Sequence, residues 1–335
     1  LDLMDAAELK EYVSSAVGNK ADALYGKDNT DWQDKIFRLG LTTDHNISVF
    51  GGALKDKLPF RATVGYNFDQ GTLKTIKKSD NQRITADISL APKFLKDHLS
   101  VNFNAKGIYN KANYADTGAI GAAVNFDPTQ TPYDIFGENN GFWYWSSELA
   151  PINPFSLLYD QWNRNESYRA MGNLQVDYKV HGLEDLSFNL NLGLDITSTK
   201  GDKGNQPNSI MANRDGDGNY KTRGRFENYK NIHRNQLLEF YANYAKDFGI
   251  HNLNVMAGYS WAMNHSSTKE FNYGRLADGT NELISATDPA TRNALVSFYG
   301  RLNYSIDSRY LFTATMRADG SSRFSGKNRW GYFPS

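Results

Sequence analysis

Apolar and polar residues alternate with a period of two along most of this chain. In segment 186–196, Leu, Phe and Ile alternate with Ser, Asn, Gly and Asp, so one face is apolar and the other polar. Segment 174–180 repeats the pattern with Leu, Val and Tyr on one face. This period predicts β-strands that separate two different environments.

About ten strands of this kind can be placed, and most exceed the five or six residues that are usual in soluble sheets. The predicted strands lie at 45–50, 60–69, 83–91, 99–109, 173–180, 186–197, 237–246, 253–261, 296–304 and 310–319.

Short and long connections between these strands alternate without exception. The short ones lie at 51–59, 92–98, 181–185, 247–252 and 306–309, and the long ones at 70–81, 114–167, 200–230 and 271–293. When every second connection is long, all the long loops lie at one end of the strands, which is typical of an outer-membrane β-barrel. A soluble β-sandwich is the alternative, but it has no reason to gather its long loops at one end.

Two further features refine the predicted all-β, antiparallel transmembrane barrel. Apolar residues in segment 5–17 recur every three to four positions, which predicts one amphipathic helix. No strand after 310–319 could close on the first one, and an open edge in lipid would leave backbone groups unpaired. We therefore expect the chain to be a segment of a larger barrel.

Composition excludes several functions and selects no charged partner. The chain has 335 residues with 37 basic and 37 acidic side chains, and it lacks a basic stripe for nucleic acid. Its lack of cysteine removes disulfides and thiolate metal sites. No run of about 18 apolar residues predicts a transmembrane helix. No cofactor motif, nucleophile elbow or Ser–His–Asp arrangement is present, so we predict neither a cofactor nor catalysis.

Three stretches resemble the SusC/RagA class of TonB-dependent outer-membrane transporters, in the family's order and near its spacing. Segment 308–335, "SRYLFTATMRADGSSRFSGKNRWGYFPS", is similar to a mid-barrel motif of that class. "NTDWQDKIFR" at 29–38 followed by "HNISVFGG" at 45–52 resembles its passage from plug to barrel. "VGYNFDQGTLKT" at 64–75 resembles a strand and its outer loop.

This resemblance implies a barrel of about 22 strands around an internal plug. Residues 1–40 would end the plug and pass into the barrel, and 41–335 would form the amino-terminal part of the barrel with long extracellular loops. It also implies TonB-energised import of an oligosaccharide, or second a peptide, across the outer membrane of a Gram-negative bacterium. The implied partners are a SusD-like surface lipoprotein, the TonB complex and membrane lipid.

The longest connection carries many aromatic residues among amides and prolines. Aromatic faces stack on sugar rings, so an outward loop of this composition is a candidate for substrate contact. Packing of the loop on itself or on the lipoprotein is the favoured alternative, because large contact areas are built from aromatics. The candidates are Phe142, Trp143, Tyr144, Trp145, Tyr159 and Trp162.

A second candidate group follows the last long strand. Arg317 and Asp319 fall on the polar face, and with Arg323 they are predicted to belong to a lumen network that holds the plug. A solvated turn at Asp319 and Arg323 is the alternative.

No metal site is predicted. "NRDGDGNY" at 213–220 resembles a calcium loop, but its first ligand would be Asn213 and its twelfth Gly224, so a hairpin tip is favoured. The six histidines lie mostly near strand ends, and none is expected to form a close ligand pair.

Two other functions stay open at this point. One is an outer-membrane adhesion or assembly barrel without transport, which a plug and TonB dependence would exclude. The other is a soluble carbohydrate-binding β protein, which would be extracted without detergent.

Overall fold

The computed structural model describes residues 2–18, 25–55, 57–75, 79–134, 140–145, 150–211, 224–276 and 278–335. The helices within these ranges are α1 (Ala6–Val17), α2 (Trp32–Ile36), α3 (Gly118–Asn125) and α4 (Pro154–Tyr159). The strands are β1 (Thr42–Ala53), β2 (Leu58–Gln70), β3 (Asp80–Leu90), β4 (Lys93–Phe94), β5 (Leu99–Asn113), β6 (Gln161–Lys179), β7 (Leu186–Asn205), β8 (Arg225–Phe248), β9 (His251–Arg275), β10 (Asn281–Thr287), β11 (Ala290–Ile306), β12 (Tyr310–Ser321) and β13 (Trp330–Pro334).

All strands pair antiparallel in one sheet. The order is β1-β2-β3-β5-β6-β7-β8-β9-β11-β12-β13, with β4 beside β5 and β10 beside β9. The ten predicted strands are all present as the long strands of this path, and the predicted all-β antiparallel fold is confirmed.

The predicted alternation of connections is also confirmed. Tight turns join β1 to β2, β6 to β7, β8 to β9 and β11 to β12, and a short link that contains β4 joins β3 to β5. We name the end of the sheet that carries them the short-turn end. The opposite end, which carries the connection 114–160 and the other extended connections, is the long-loop end.

Several strands run further toward the long-loop end than predicted. The expected loops 200–230 and 271–293 contain the ends of β7, β8 and β9, which reach Asn205, Arg225 and Arg275. Charged and amide residues are frequent on both faces there, so the strict hydrophobic period disappears while the backbone ladder continues. Ion pairs across neighbouring strands replace it, as between Lys203 Nζ and Glu227 Oε1 at 3.0 Å.

The register of the strands gives the sheet an apolar and a polar face. One row crosses five strands with Val176, Leu190, Phe240, Tyr259 and Phe298 on the same face. Half of the Phe298 side chain is exposed, although such a residue would normally be buried. Other exposed apolar residues of this face are Ile47, Val49, Val64, Ile84, Ile88, Leu194, Val255, Leu302, Phe312 and Tyr332.

The height of the apolar face matches a bilayer. On β6 it runs from Tyr178 to Tyr168 through uncharged residues only, and Glu166 bound to Lys200 follows at 3.0 Å. Ten residues at about 3.4 Å each span about 34 Å along the strand. At a tilt of about 40° this gives a height of about 26 Å, close to the apolar band of outer-membrane barrels.

The adjoining rows form the polar face. Gln175, Asn191, Glu239, Ser260 and Ser297 lie side by side on consecutive strands. Asn191 Nδ2 donates a hydrogen bond to Glu239 Oε2 at 3.1 Å. Polar groups are thus paired on one face while apolar groups on the other remain exposed.

Helix α1 is the helix predicted at 5–17. Asp5 accepts hydrogen bonds from the backbone of Ala7 and Glu8, and Glu8 bonds back to the Asp5 N–H, which completes a capping box. Gly18 ends the helix with a φ of +64°, which glycine adopts without strain.

None of the helices in the described ranges is long and apolar enough to cross a membrane.

The main buried core lies outside the sheet, at the long-loop end. It is built from α2, α3, α4, Leu73 of the β2–β3 connection and the segments 126–134, 140–145 and 150–153, which we call the lobe. Nine buried apolar residues form its centre: Trp32, Ile36, Leu73, Ala119, Ala123, Phe126, Phe155, Leu157 and Leu158. β1 begins at Thr42, near the predicted domain boundary. The assignment of residues 1–40 to a plug stays a prediction.

Candidate functional site

Four of the six candidate aromatic residues pack against the core of the lobe. Trp143 meets Phe126 edge-on with ring centroids 5.9 Å apart, and it meets Trp145 in the same way at 4.8 Å. Phe142 and Tyr159 stack with ring centroids 6.3 Å apart. Self-packing of this loop, the favoured sequence interpretation, therefore describes these four side chains, which nevertheless remain partly exposed.

Residues that the sequence analysis did not select complete this aromatic network. Trp32 lies 4.7 Å from Phe126 and 6.1 Å from Phe155, both edge-on. Trp32 Nε1 also donates to the Asp127 carbonyl at 3.0 Å. Trp32 precedes the sheet by ten residues, so α2 is held to the connection between β5 and β6. The network gives the long connection a fixed shape.

Asn153 fixes the aromatic segment to α4. Its Nδ2 donates to the carbonyls of Pro132 and Trp143 at 3.0 and 2.8 Å, and its Oδ1 accepts from the Phe155 N–H at 2.9 Å. Asn153 is almost fully buried, so each of these polar atoms needs its partner. As the N-cap of α4 it also starts the helix before Pro154.

Asp160 is a buried carboxyl at the other end of α4. Its oxygens accept hydrogen bonds from Ser156 Oγ at 2.9 Å and from Asn140 Nδ2 at 3.0 Å. Burial raises the pKa of Asp160, and the hydrogen bonds from Ser156 and Asn140 oppose that rise without cancelling it. The folded lobe therefore favours the protonated acid more than the unfolded chain does.

This pKa sets a pH dependence for the lobe. Because the folded pKa lies above the unfolded one, the stabilisation by the neutral acid is complete below the unfolded pKa of about 3.9 and is lost as pH rises through the folded value. We expect Asp160→Asn to remove this loss. Proteolysis rates of the lobe, measured from about pH 4 to pH 8, should rise less with pH in the variant than in the parent protein. If the proteolysis rate depended on pH equally in both proteins, the raised pKa of Asp160 would not be the cause.

A cavity of about 530 Å³ lies between the lobe and the long-loop ends of β6 to β9. Its volume is typical of small-ligand sites, which span about 300–1,000 Å³. Among the lining groups are two acids, Asp116 and Glu227, and two bases, Lys203 and Arg225, so the charges balance. The other lining residues include the aromatic Tyr114, Trp162 and Phe226 and the amides Gln161, Asn163, Asn205 and Asn272.

Trp162, a candidate residue, lines this cavity rather than the aromatic core. Its Nε1 is buried and has no hydrogen-bond partner in the described part of the chain. A buried unpaired donor costs about 1–3 kcal/mol. Gln161 Nε2 beside it donates to Asp116 Oδ2 at 2.9 Å. The last candidate aromatic, Tyr144, lies partly exposed between Trp143 and Trp145.

The structure brings Arg317 and Asp319 together on the polar face and leaves Arg323 apart. Arg317 Nε donates to Asp319 Oδ1 at 2.8 Å, and its Nη2 donates to Ser297 Oγ at 2.9 Å. The guanidinium also lies 5.9 Å from the ring centre of Tyr299. Arg323 follows β12 in an exposed turn. Whether the first two residues contact a plug stays a prediction.

Two remaining sequence interpretations concern metal ions. The loop 213–220 lies outside the described residues. His98 and His181, however, have ring centroids 4.5 Å apart, and Glu184 joins them. The expectation that no histidines form a close pair was wrong, because the turns that carry them are neighbours only in the folded sheet.

Comparisons with known proteins show what this chain is similar to. No protein-family model matches the chain. The chain is 38% identical to the TonB-dependent receptor SusC of Bacteroides thetaiotaomicron over its whole length, and it covers 34% of that protein. It is 29% identical to the TonB-dependent receptor P3 of Formosa agariphila, again over its whole length and over 33% of the relative. The chain thus spans about a third of the length of these curated relatives.

Solved structures share the fold. The RagAB peptide importer in its closed-closed state superposes on 99% of the chain with a TM-score of 0.75 at 18% identity, and 41% of that chain is covered. The outer-membrane transporter YddB of Escherichia coli superposes on 88% of the chain with a TM-score of 0.54 at 9% identity, and 35% of it is covered. At these identities the likeness concerns the fold alone.

Proposed function

The chain belongs to the SusC-like TonB-dependent receptors of the Gram-negative outer membrane, and from this premise we propose that it forms part of a transporter that imports a large nutrient. The substrate that we propose is an oligosaccharide first and a peptide second. No catalytic chemistry enters the proposal.

The observation that carries the proposal is the division of the sheet into two faces. An exposed apolar face about 26 Å high suits the hydrocarbon of a membrane, and a hydrogen-bonded polar face suits a water-filled interior. The cavity beside Trp162 lies at the long-loop end of this wall. A solute that enters from that end would meet the cavity before it reached the interior.

The oligosaccharide preference rests on the chemistry of the cavity lining. Aromatic rings pack on the C–H faces of sugars, and amides pair with hydroxyl groups. Balanced charges favour a neutral solute over a strongly charged one. The peptide alternative enters through the structural likeness to RagAB, which is a peptide importer.

We propose that residues 41–335 form barrel wall and outward lobe. We keep the prediction that residues 1–40 end a plug, but we assign part of this stretch to the lobe as well. Thr30, Trp32 and Ile36 are buried in or beside the lobe, and Thr30 Oγ1 donates to the Gln130 carbonyl at 2.8 Å. This stretch therefore acts with the lobe at the long-loop end. A SusD-like lipoprotein docked on the lobe and TonB acting from the periplasm complete the proposal.

The proposal is tested with the full-length protein in its native outer membrane. We expect extraction to require mild detergent, and mass spectrometry of the purified material to identify a stoichiometric SusD-like lipoprotein. Uptake of a labelled oligosaccharide should stop when TonB is deleted. Uptake that continues without TonB, or a solitary protein that binds cells and imports nothing, would contradict the proposal.

Replacing Trp143 and Trp145 with Ala tests the exposed edge of the lobe. We expect at least a tenfold loss of lipoprotein or substrate binding, because aromatic side chains dominate such contacts and each is worth about 1.4 kcal/mol or more. The matched control is Trp330→Ala, which removes an indole from the apolar face. Binding constants measured on the purified complexes would refute both roles if the double variant equals the control.

A further inference from the structure

Two neighbouring hairpin turns at the short-turn end bring three metal-ligating side chains together. His98 ends the turn before β5, and His181 and Glu184 lie in the turn between β6 and β7. The strands β5 and β6 pair with Leu99 opposite Tyr178, so the two turns lie side by side. This cluster is on the opposite end of the sheet from the lobe and its cavity.

The geometry of the three side chains is close to that of a metal site. The imidazole rings of His98 and His181 are 4.5 Å apart and inclined by 55°. His98 Nδ1 lies 3.2 Å from Glu184 Oε2, and one potential ligand atom from each residue lies within 4.8 Å of the others. Ligands about 2.05 Å from a tetrahedral zinc ion are about 3.4 Å apart, so small side-chain rotations would close the site.

The backbone already orients His98 for this role. His98 Nδ1 lies 3.1 Å from the Lys179 carbonyl, which can accept the Nδ1 proton and leave Nε2 with a free lone pair. Ligating histidines usually donate their second ring nitrogen to such an oxygen. Glu184 Oε2 also lies 3.2 Å from His98 Nδ1, so the carboxylate must turn from Nδ1 toward Nε2 to share an ion with it. The His98 side chain is largely buried, whereas Glu184 is exposed and adjustable.

We propose that His98, His181 and Glu184 bind one zinc ion, with a fourth position open to water. Two imidazoles and one carboxylate are a ligand set that zinc accepts with an open position. The ion would link the turn before β5 to the turn between β6 and β7. This inference rests on the geometry of the turns alone and is independent of the proposed transport function.

The test is a zinc titration of the full-length protein in detergent, after treatment with a chelator. Calorimetry should detect one zinc ion per chain, and His98→Ala and His181→Ala should each weaken binding at least tenfold. The control is His251→Ala, which changes another histidine near a short turn, one that bonds Tyr304 Oη at 2.7 Å. We expect His251→Ala to bind zinc like the parent protein.

A second variant and a second measurement distinguish loss of zinc binding from misfolding. Glu184→Gln keeps the size of an exposed side chain and removes only the carboxylate, so it should fold normally and bind zinc at least tenfold more weakly. Cobalt bound in place of zinc should show visible absorption bands that the His98→Ala variant loses. The proposal is overturned if zinc fails to bind, or if the histidine and glutamine variants retain the parent affinity.

Discussion

Replacing Leu190 with Arg should sharply reduce insertion of the protein into bilayers. On β7 the apolar positions of this face run from Leu186 to Ile196, and Leu190 lies near the middle of that run, opposite Val176 and Phe240 on the neighbouring strands. A guanidinium near the membrane midplane costs about 2 to 4 kcal/mol, which is a large part of the stability of a typical domain. The measurement is the fraction of full-length protein that folds into lipid vesicles, read from heat-modifiable gel mobility at several urea concentrations.

Ser198→Arg is the matched control for depth. Ser198 lies on the same strand and the same face, but it is level with Tyr168 and only two residue pairs from Lys200. A charge at this height should cost at most about 1 kcal/mol. Equal effects of the two substitutions would show that the face, or the depth, is wrongly assigned. A large effect of Leu190→Arg alone would support the membrane position of the sheet.

Trp32→Ala should loosen the lobe without unfolding the sheet. The Trp32 side chain is 3% exposed and lies between Phe126 and Phe155 in the centre of the lobe. Truncation of a buried tryptophan to alanine typically costs about 3 to 5 kcal/mol through lost contacts and the cavity left behind. The bond from its Nε1 to the Asp127 carbonyl is lost as well. Limited proteolysis should cut the lobe much faster in the variant.

The control for Trp32→Ala is Leu39→Ala. Leu39 follows α2 in the same segment and is 95% exposed, so its truncation removes almost no packing. Heat-modifiable mobility should be the same in both variants, because the sheet does not depend on this core. If the lobe of the Trp32 variant resisted protease as the parent does, the buried core would not be what holds the long connection.

The sequence predicted the sheet well because lipid contact makes the pattern strict. Every second residue near Leu190 must be apolar, so the period of two is visible without any homologue. The same reasoning missed the ends of β8 and β9. There the strands leave the apolar band, and residues such as Lys203 and Glu227 pair across strands without a hydrophobic period.

The sites were less predictable than the sheet. The aromatic connection stood out by composition, but the pattern carried no information that Trp32 would pack on Phe126. Their contact depends on irregular backbone, along which apolar residues do not recur with a fixed period. The histidine cluster could have been found from register, since pairing of β5 with β6 places His98 beside the turn that holds His181.

The tight turns also determine the order in which the sheet can form. β8 and β9 are joined by only Gly249 and Ile250, and they pair from Phe248 opposite His251 out to Arg225 opposite Gly274. Closing so short a loop costs little entropy, and each further pair then forms next to one already made. By contrast, β5 and β6 meet only after the whole connection 114–160 has been closed. We therefore expect the hairpins to form first, starting at the short-turn end, and the core of the lobe to pack last.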